Sequence, residues 1–381
     1  MPEYRGAVEI VNKRTHRSEG MSLVEVMISL TMGTIIIMGV INLFSANSET
    51  YSVVQGQSRM QESARFALSY LSKDIQKASY KGCYTRDDQL LFTMYSGDDI
   101  PYEYDLRTGI QAFDGQAAGL GWLPVTTPLQ DTYVAGRAID TAAIVATTDI
   151  LTVRAASEVE ARLSQPMLLS SADIVVTIPS AGLEFSDSTD DLALIYDCEK
   201  SSMFEVTSIA EVGGQATIGH AVEADLPGQP RNSFLALAVN NSFSTDASVS
   251  AIDTITYFIA PGAGTNNEGN TPLALWRKFR TAAPVEMVEG VENLQLLFGV
   301  DTDGDSIPNQ YTTANLVMDF DTVITVRISL TVNSIDTVGA TSAPSLGCTG
   351  TGGLQDCIAG QAYDGLIRRT FTSTVRLRNR T

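Results

Sequence analysis

"EGMSLVEVMISLTMGTIIIMGVINLFSAN", residues 19–47, is the stretch on which the fold depends. The 23 positions from 26 to 48 carry no charged side chain. An α-helix rises about 1.5 Å per residue, so a helix of that length crosses the roughly 30 Å hydrocarbon core of a bilayer. A buried core helix is the alternative, but the run lies near the N-terminus, directly after basic residues. We therefore predict a membrane-spanning helix.

Basic side chains precede the apolar run and set its orientation. Arg14 and Arg17 lie on its N-terminal side, and the positive-inside rule keeps that end in the cytoplasm. An ordinary secretory signal would be cleaved after the apolar region at a small-x-small site, and no convincing A-x-A site follows Phe44. We expect a single-pass protein whose residues beyond about Ser45 lie across the membrane.

Glu25 is an acidic residue at the start of this apolar helix. A carboxylate costs about 2.5–3.5 kcal/mol at the centre of a membrane helix and less near its end, and it marks a functional position. A free α-amine on Met21, in the same chain or a neighbouring subunit, would be its simplest partner. That amine exists only if the chain is cut between Gly20 and Met21.

The order Gly20, Met21, Ser-Leu-Val, Glu25 and an apolar run resembles the class III signal of type IV prepilins and type II secretion pseudopilins. The resemblance implies that a prepilin peptidase cuts after Gly20 and methylates the new N-terminus of Met21. It also implies that Glu25 aids docking into a filament. The chain departs from the family at Met21, where the usual residue is phenylalanine.

Further motifs resemble the PilW family of minor pilins, which is related to the J-type pseudopilins of type II secretion. This resemblance implies an inner-membrane protein that later reaches the pilus or cell surface. Its partners would be other minor pilins, the major pilin, the prepilin peptidase and inner-membrane lipid. The segment from 85 to 284 carries no such motif. The motifs are QESARFALSYLSKDI (61–75), ASYKGC (78–83), EGVENLQ (289–295), GVDTDGD (299–305) and TFTSTVRLRNR (370–380).

The sequence after the apolar run predicts an amphipathic continuation of the same helix. Apolar or small residues recur there every three or four positions, which places them on one buried face. No proline occurs from 3 to 100, so one helix from about 21 to 79 is predicted. Asp74 and Lys77 form an i,i+3 pair expected on its exposed side. The stripe consists of Met60, Ala64, Ala67, Leu71, Ile75 and Ala78.

Beyond the helix, apolar and polar residues alternate as in β-strands. The fold class is therefore α+β: a long N-terminal helix packed on a mostly antiparallel, β-rich, pilin-like head. The predicted domains are a leader (1–20), a membrane or filament-core helix (21–48), an amphipathic helix (49–80) and the head (81–381). Predicted strands include DILTVRA (149–155), DIVVTIP (173–179), LALIYD (192–197), DTITYFIA (253–260), NLQLLFGV (293–300), TVITVRISLTV (322–332) and FTSTVRLR (371–378).

The chain has four cysteines: Cys83, Cys198, Cys348 and Cys357. All lie beyond the membrane segment, in an oxidising compartment where disulfides persist, and their spacing does not fit a zinc site. We expect Cys348–Cys357 to close a short loop and Cys83–Cys198 to tie the helix end to the head. Free buried thiols are the alternative.

The segment DTDGDSIPNQYT (301–312) resembles a calcium loop because three aspartates stand at its first, third and fifth positions. It departs from the EF-hand pattern at Ser306, where glycine is usual, and at Thr312, where a bidentate glutamate is usual. A solvated acidic turn is the alternative. The candidate calcium ligands are Asp301, Asp303, Asp305, the carbonyl of Ile307 and the side chain of Asn309.

Charge and motif content argue against several classes of function. The formal charge of −19 gives no basic footprint for nucleic acid. The two histidines stand in no catalytic motif, and no phosphate-binding loop occurs, so an enzyme is not expected. The sequence predicts a structural minor pilin that primes or caps a type IV pilus, with no required cofactor.

Two other functions stay open from the sequence alone. One is a minor pseudopilin of type II secretion. The other is an adhesive or ligand-binding module at the pilus tip, in which Trp122 and Tyr133 contact a ligand; core packing of these aromatic residues is the alternative.

Overall fold

The structure is a computed structural model, and its first element is one long α-helix. Helix α1 runs from Leu23 to Lys77 over 55 residues. The chain divides into two compact units, Met1–Val53 and Val54–Thr381, so α1 contributes to both. The described residues are 22–82, 90–93, 102, 105–116, 121–124, 139–186, 191–224, 231–237, 242–280, 282–338 and 365–379.

Beyond α1 the described chain consists mainly of strands, and nearly all of their pairings are antiparallel. The exception is the parallel pair of β1 and β7. Short 3₁₀ segments occur at Thr141–Ala143, Ala314–Leu316 and Phe320–Thr322. The strands are β1 (Leu90–Phe92), β2 (Ile110–Gly115), β3 (Trp122–Leu123), β4 (Ile150–Arg162), β5 (Ile174–Thr177), β6 (Leu192–Tyr196), β7 (Ser201–Glu205), β8 (Ser208–Val212), β9 (Gln215–Gly219), β10 (Ser248–Pro261), β11 (Leu273–Phe279), β12 (Val285–Glu289), β13 (Val291–Val300), β14 (Gln310–Thr312), β15 (Val323–Asn333) and β16 (Arg368–Arg376).

The described strands form three sheets. The largest has nine strands, in the order β1-β7-β6-β10-β4-β2-β3, with β11 and β12 added beside β10. A four-stranded sheet has the order β14-β13-β15-β16, and a three-stranded sheet has the order β5-β9-β8. The α+β class and the long helix packed on a β-rich head are confirmed.

The head half of α1 packs on both larger sheets through the predicted stripe. Its small and apolar side chains are all buried, and they share one core with strands of the nine-stranded and four-stranded sheets. Leu71 and Ile75 are fully buried there. Burying one such side chain contributes roughly 1.5–3 kcal/mol. The predicted stripe is therefore confirmed at Met60, Ala64, Ala67, Leu71, Ile75 and Ala78.

Local backbone chemistry ends α1. Ser79 adopts a positive φ of 63°, the left-handed conformation that commonly terminates helices. Its N–H donates to the carbonyl of Arg154 in β4 at 3.0 Å. Beyond β16, the side-chain amide of Asn379 donates to the carbonyls of Lys77 and Ala78, both at 3.2 Å. Asn379 thus supplies a donor to the carbonyl of Lys77, the last residue of the helix, and to that of Ala78 directly after it.

One prediction about α1 is wrong. Asp74 does not lie on the exposed side; its side chain is 9% exposed. It accepts a hydrogen bond from the Tyr257 hydroxyl at 2.6 Å and lies 3.3 Å from Nε of Arg277. Lys77 pairs with Glu158 of β4 at 2.6 Å instead. Helical spacing cannot reveal this exchange, because the partners lie in distant strands.

Candidate functional site

The start of α1 presents apolar side chains to the surroundings. Leu23 is 76% exposed and Phe44 is 75% exposed. By length and composition, Leu23–Lys77 is long and apolar enough to cross a membrane. An exposed apolar surface of this size marks contact with lipid or protein. The polar Ser29 hydroxyl does not interrupt it, because that group donates to the carbonyl of Glu25 at 2.7 Å.

Glu25 lies in the first turn of α1 and is exposed. A carboxylate at a helix N-terminus is stabilised by the helix dipole, which explains its compatibility with the local fold. Gly20 and Met21 lie outside the described residues, so cleavage between them and methylation of Met21 stay predictions. The geometry leaves the Glu25 carboxylate accessible to an amine of another subunit.

Among the cysteines, Cys198 lies in the described part of the chain, in the turn between β6 and β7. It is disulfide-bonded. Cys83, Cys348 and Cys357 lie outside the described residues. Gly82, which precedes Cys83, packs on the ring of Tyr196, two residues before Cys198. This proximity is compatible with the pairing of Cys83 with Cys198, which stays a prediction.

The aspartates of the 301–312 loop converge. Ligand oxygens of Asp301, Asp303 and Asp305 all lie within 4.8 Å of one another. Asp301 begins the loop directly after β13, and positive φ angles at Gly304 (78°) and Ser306 (63°) turn the chain back. The structure therefore brings together the three carboxylates that the sequence predicted as ligands.

Backbone N–H groups hold the Asp301 carboxylate. They donate from Gly304 at 2.7 Å, Ser306 at 2.8 Å and Asp303 at 3.2 Å. Desolvation alone would raise the pKa of Asp301, but these hydrogen bonds outweigh it and lower the pKa. Asp301 is therefore ionised under neutral conditions, and its oxygens are already partly occupied by the loop.

The other predicted ligands are arranged differently. Asn309 Oδ1 accepts from the N–H and hydroxyl of Thr302 at 2.6 and 3.0 Å. Its amide donates to Asp303 at 3.3 Å, so a donor rather than an acceptor faces the carboxylates. The N–H of Ile307 donates to Asp305 at 2.8 Å. A cation in this loop would thus have three carboxylates and would need Asn309 to turn.

Of the two aromatic candidates for ligand binding, Trp122 is described and Tyr133 is not. Trp122 is half-buried, packs beside Phe113 and Ile150, and donates from its indole N–H to the carbonyl of Thr148 at 2.8 Å. The indole N–H of Trp122 therefore already has a hydrogen-bond acceptor within the protein. The core-packing alternative fits Trp122 better than a ligand platform.

The sequence predicted the strand β16, but the basic surface at the end of that strand was not predicted. Arg376 and Arg378 lie at its end and are exposed, and their side chains make no ion pair or hydrogen bond within the described part of the chain. The available signal was charge: the last 14 residues hold five arginines and no acidic residue, in a chain of net charge −19.

The C-terminal third of the chain resembles a known family. Residues 256–379 match the model of the PilW family, described as "Type IV Pilus-assembly protein W". The matched part runs from within β10 to beyond β16 and includes the 301–312 loop. No curated protein and no solved structure matches the chain. The family match supports a role related to type IV pilus assembly.

Proposed function

We propose that this chain is a minor pilin that primes or caps a type IV pilus, and that it acts as a structural component rather than an enzyme. The observation that carries the proposal is α1 itself. Its first half exposes a mostly apolar surface with no charged side chain from 26 to 48, while its second half is fixed in the core of the head. Such a helix holds a folded head on lipid before assembly and on neighbouring helices afterwards.

The match to the PilW family supports this proposal from the other end of the chain. It covers β13, β15 and β16, which supply much of the core around α1. The family description names pilus assembly, so the partners of the chain would be other pilus assembly components. The proposed location is the inner membrane, with the head on the far side, followed by the pilus surface.

The proposed assembly contact involves Glu25. After cleavage, its carboxylate would pair with the methylated N-terminal amine of a neighbouring subunit. In the apolar surroundings of packed helices such a pair has few competing partners, so removing one member leaves the other charge uncompensated. This role depends on processing between Gly20 and Met21.

We predict that Glu25→Ala is inserted and cleaved normally but is recovered in complexes with other pilins at about a tenth of the normal yield or less, the effect of losing roughly 1.4 kcal/mol. Glu49→Ala is the matched control, because Glu49 is an exposed carboxylate at the other end of the apolar run. Co-purification from membranes and mass spectrometry of the N-terminus are the measurements.

Three results would contradict the proposal. The first is a mature chain that keeps residues 1–20 in cells with an active peptidase. The second is equal recovery of the Glu25 and Glu49 variants. The third is a deletion strain that makes normal pili but loses type II secretion, which would favour the pseudopilin alternative.

A further inference from the structure

The four-stranded sheet turns one face towards α1 and the other face away from it. Phe298 of β13, Val326 of β15 and Val375 of β16 lie side by side in the core that contains α1. Because side chains alternate along a strand, the residues between them point to the opposite face, which we call the outer face. Its central rows on β15 and β16 pair Thr325 with Arg376, Arg327 with Thr374 and Ser329 with Thr372.

The outer face is polar and carries hydroxyl groups in rows. Thr372 and Thr374 are exposed. Further along the same strands, the hydroxyls of Thr331 and Thr370 lie 3.0 Å apart. Among the paired residues that the structure describes on this face, Leu297 is the one aliphatic side chain. This composition suits a ligand that forms hydrogen bonds, because an apolar partner would need an apolar patch.

Three arginines give the outer face and its β16 border a positive charge. Arg327, Arg376 and Arg378 are exposed, and none of them forms an ion pair with a described carboxylate. The carboxylate of Glu292, which reaches the other end of this face, is already held by Nε of Arg368 at 2.6 Å. In a chain of net charge −19, this is a local basic surface with free guanidinium groups.

Two of these arginines are neighbours, and one of them is held in place. Arg327 faces Thr374, two residues before Arg376, so the two arginines are diagonal neighbours with Cα atoms about 7–8 Å apart. The guanidinium of Arg327 lies 4.3 Å over the centre of the Tyr311 ring. The Thr325 hydroxyl donates to the Tyr311 hydroxyl at 3.2 Å. Stacking orients the guanidinium before a ligand arrives, so less freedom is lost on binding.

A groove borders the outer face along the free side of β16. It has a volume of about 450 Å³, and Arg376 and Arg378 line it together with Ser72 and Gln76 of α1. The helix thus places a hydroxyl and an amide beside the two guanidinium groups. A concave surface with a few convergent polar groups is the usual form of a ligand site.

The acidic loop that follows β13 does not cancel this charge. Asp301 lies four residues beyond Leu297, which faces Arg327, so about 13 Å separate the two positions along the strand. Strand β16 is two strands away from β13, at about 10 Å. Both separations exceed about 8 Å, the Debye length at physiological ionic strength, so salt largely screens the loop from these arginines.

The chemistry of the outer face matches an acidic polysaccharide. Arginine binds carboxylates through two parallel hydrogen bonds, and hydroxyl and amide side chains bond to the hydroxyl groups of sugars. Each sugar of a uronic acid polymer carries both kinds of group. Nucleic acid fits less well, because the net charge of −19 repels phosphates and because Arg327 covers the Tyr311 ring on which a base would stack.

We propose that the outer face binds an acidic polysaccharide built from uronic acids. Arg327, Arg376 and Arg378 bind the carboxylates, and Thr372 and Thr374 bond to the sugar hydroxyls between them. The inference goes beyond the proposed function and does not depend on it.

The test measures binding of polygalacturonate, a uronic acid polymer, to the full chain purified in nonionic detergent, by biolayer interferometry at constant ionic strength. We expect binding to polygalacturonate and none to dextran, which is neutral. The double variant Arg327→Gln and Arg376→Gln should lower the affinity about tenfold or more, because charged hydrogen bonds are lost. Arg162→Gln, at an exposed arginine that ends β4, is the matched control and should keep the affinity.

A second variant separates recognition of sugar from attraction by charge. Thr372→Val with Thr374→Val removes two hydroxyls but keeps the charge and the branched shape that suits a strand. It should lower the affinity for polygalacturonate about fivefold, the effect of losing about one hydrogen bond. Polyglutamate, which has carboxylates but no sugar hydroxyls, should bind the unaltered chain about tenfold more weakly than polygalacturonate.

Four results would overturn the proposal. They are no binding of polygalacturonate by the unaltered chain, unchanged affinity in the arginine double variant, equal affinity for polyglutamate, and tighter binding of duplex DNA. Exposed substitutions of this kind change stability little, so equal melting temperatures of the variants and the unaltered chain are expected. Binding is measured on purified protein, so a negative result leaves the proposed role in pilus assembly untouched.

Discussion

Asp74 is the residue at which local pattern and tertiary structure disagree most. It stands three positions after the buried Leu71 and four before the buried Ala78, at the border of the stripe, and its charge predicts that it faces solvent. Instead it joins Tyr257 of β10 and Arg277 of β11, which lie 183 and 203 residues further along the chain. The Tyr257 side chain is fully buried, so its hydroxyl needs this acceptor.

We predict that Asp74→Ala lowers the free energy of unfolding of the head by about 3–5 kcal/mol, because it leaves Tyr257 and Arg277 without their shared acceptor. Tyr257→Phe should cost less, about 1.5–3 kcal/mol, since one hydrogen bond to a charged group is lost. Glu62→Ala, at an exposed position on the same helix, should change stability by about 0.5 kcal/mol or less. Denaturant unfolding of residues 54–381 measures all three, and equal effects at Asp74 and Glu62 would contradict the buried network.

Arg154 shows the same limit of sequence reasoning. It lies in the predicted strand DILTVRA, and the strand is correct, but its side chain is fully buried. The guanidinium donates to the carbonyl of Thr108 and the amide of Gln111, and it stacks over Tyr102 at 4.2 Å. A strand pattern reports which residues alternate, whereas the partners of this buried cation come from strand β2 and from residues outside strands, and the pattern does not define where those lie.

At the scale of elements, the parts that sequence could predict are those with a regular period. The stripe of α1 repeats every three or four residues, and β15 alternates between Ile324 and Val332, so both were predicted. The sheet order was not predicted, because alternation in one strand says nothing about which strand lies beside it. The place of β16 at one edge of the four-stranded sheet, as seen in the described residues, follows from that order and could be found only in the structure.

The 301–312 loop is the element whose chemistry the sequence predicted and whose function stays a proposal. Asp301 holds the turn by accepting from three backbone N–H groups. Asp303 instead accepts from the side-chain amide of Asn309 at 3.3 Å, a longer and weaker bond. A variant at Asp303 therefore tests ion binding with less effect on the turn than one at Asp301.

We predict that millimolar calcium raises the melting temperature of the head relative to chelator at constant ionic strength. Without the carboxylate of the twelfth position, the Kd should be about 10⁻⁴–10⁻³ M. At ten times the Kd, binding to the folded state adds about 1.4 kcal/mol, or a few degrees. Asp303→Ala should remove the difference and Glu268→Ala, in another exposed turn, should keep it. Identical melting curves for the unaltered head in both buffers would identify a plain acidic turn.

At the scale of the whole head, Asp149 connects the two larger sheets. Its carboxylate accepts from the N–H of Gly115 at the end of β2 at 2.9 Å and from the N–H of Leu296 in β13 at 2.7 Å. Burial raises the pKa of Asp149 to about 7, the two backbone donors oppose that rise, and the nearby Asp114 adds to it. The carboxyl group of Asp149, which links the two sheets, therefore changes its charge near neutral pH.

The sign of the resulting pH dependence follows from linkage. The folded-state pKa lies above the ordinary value of 3.8, so the folded head holds this proton more tightly than the unfolded chain. The stabilisation is complete below about pH 4 and is lost as the pH rises through about 7. We predict that it amounts to about 4 kcal/mol at most, from about three pKa units.

The measurement compares the slopes of unfolding free energy against pH for the unaltered head and for Asp149→Asn, which cannot titrate. The oxygen of the amide side chain accepts only one of the two N–H groups, so the variant should be less stable than the unaltered head at about pH 4, where Asp149 is protonated. Between pH 4 and 7 its stability should nevertheless fall less steeply than that of the unaltered head. Parallel curves would show that Asp149 is not the titrating group.

The bonds from Asn379 to the last turn of α1 join residues 302 and 301 positions apart. A ribosome adds about 5–20 residues per second, so roughly 15–60 s separate the synthesis of Lys77 from that of Asn379. During that interval the stripe of α1 is complete but β13, β15 and β16, which cover it, do not yet exist. Each nascent copy therefore exposes the stripe of α1 to chaperones until β16 is made, and a chain that lacks β16 should be removed by proteolysis rather than assembled.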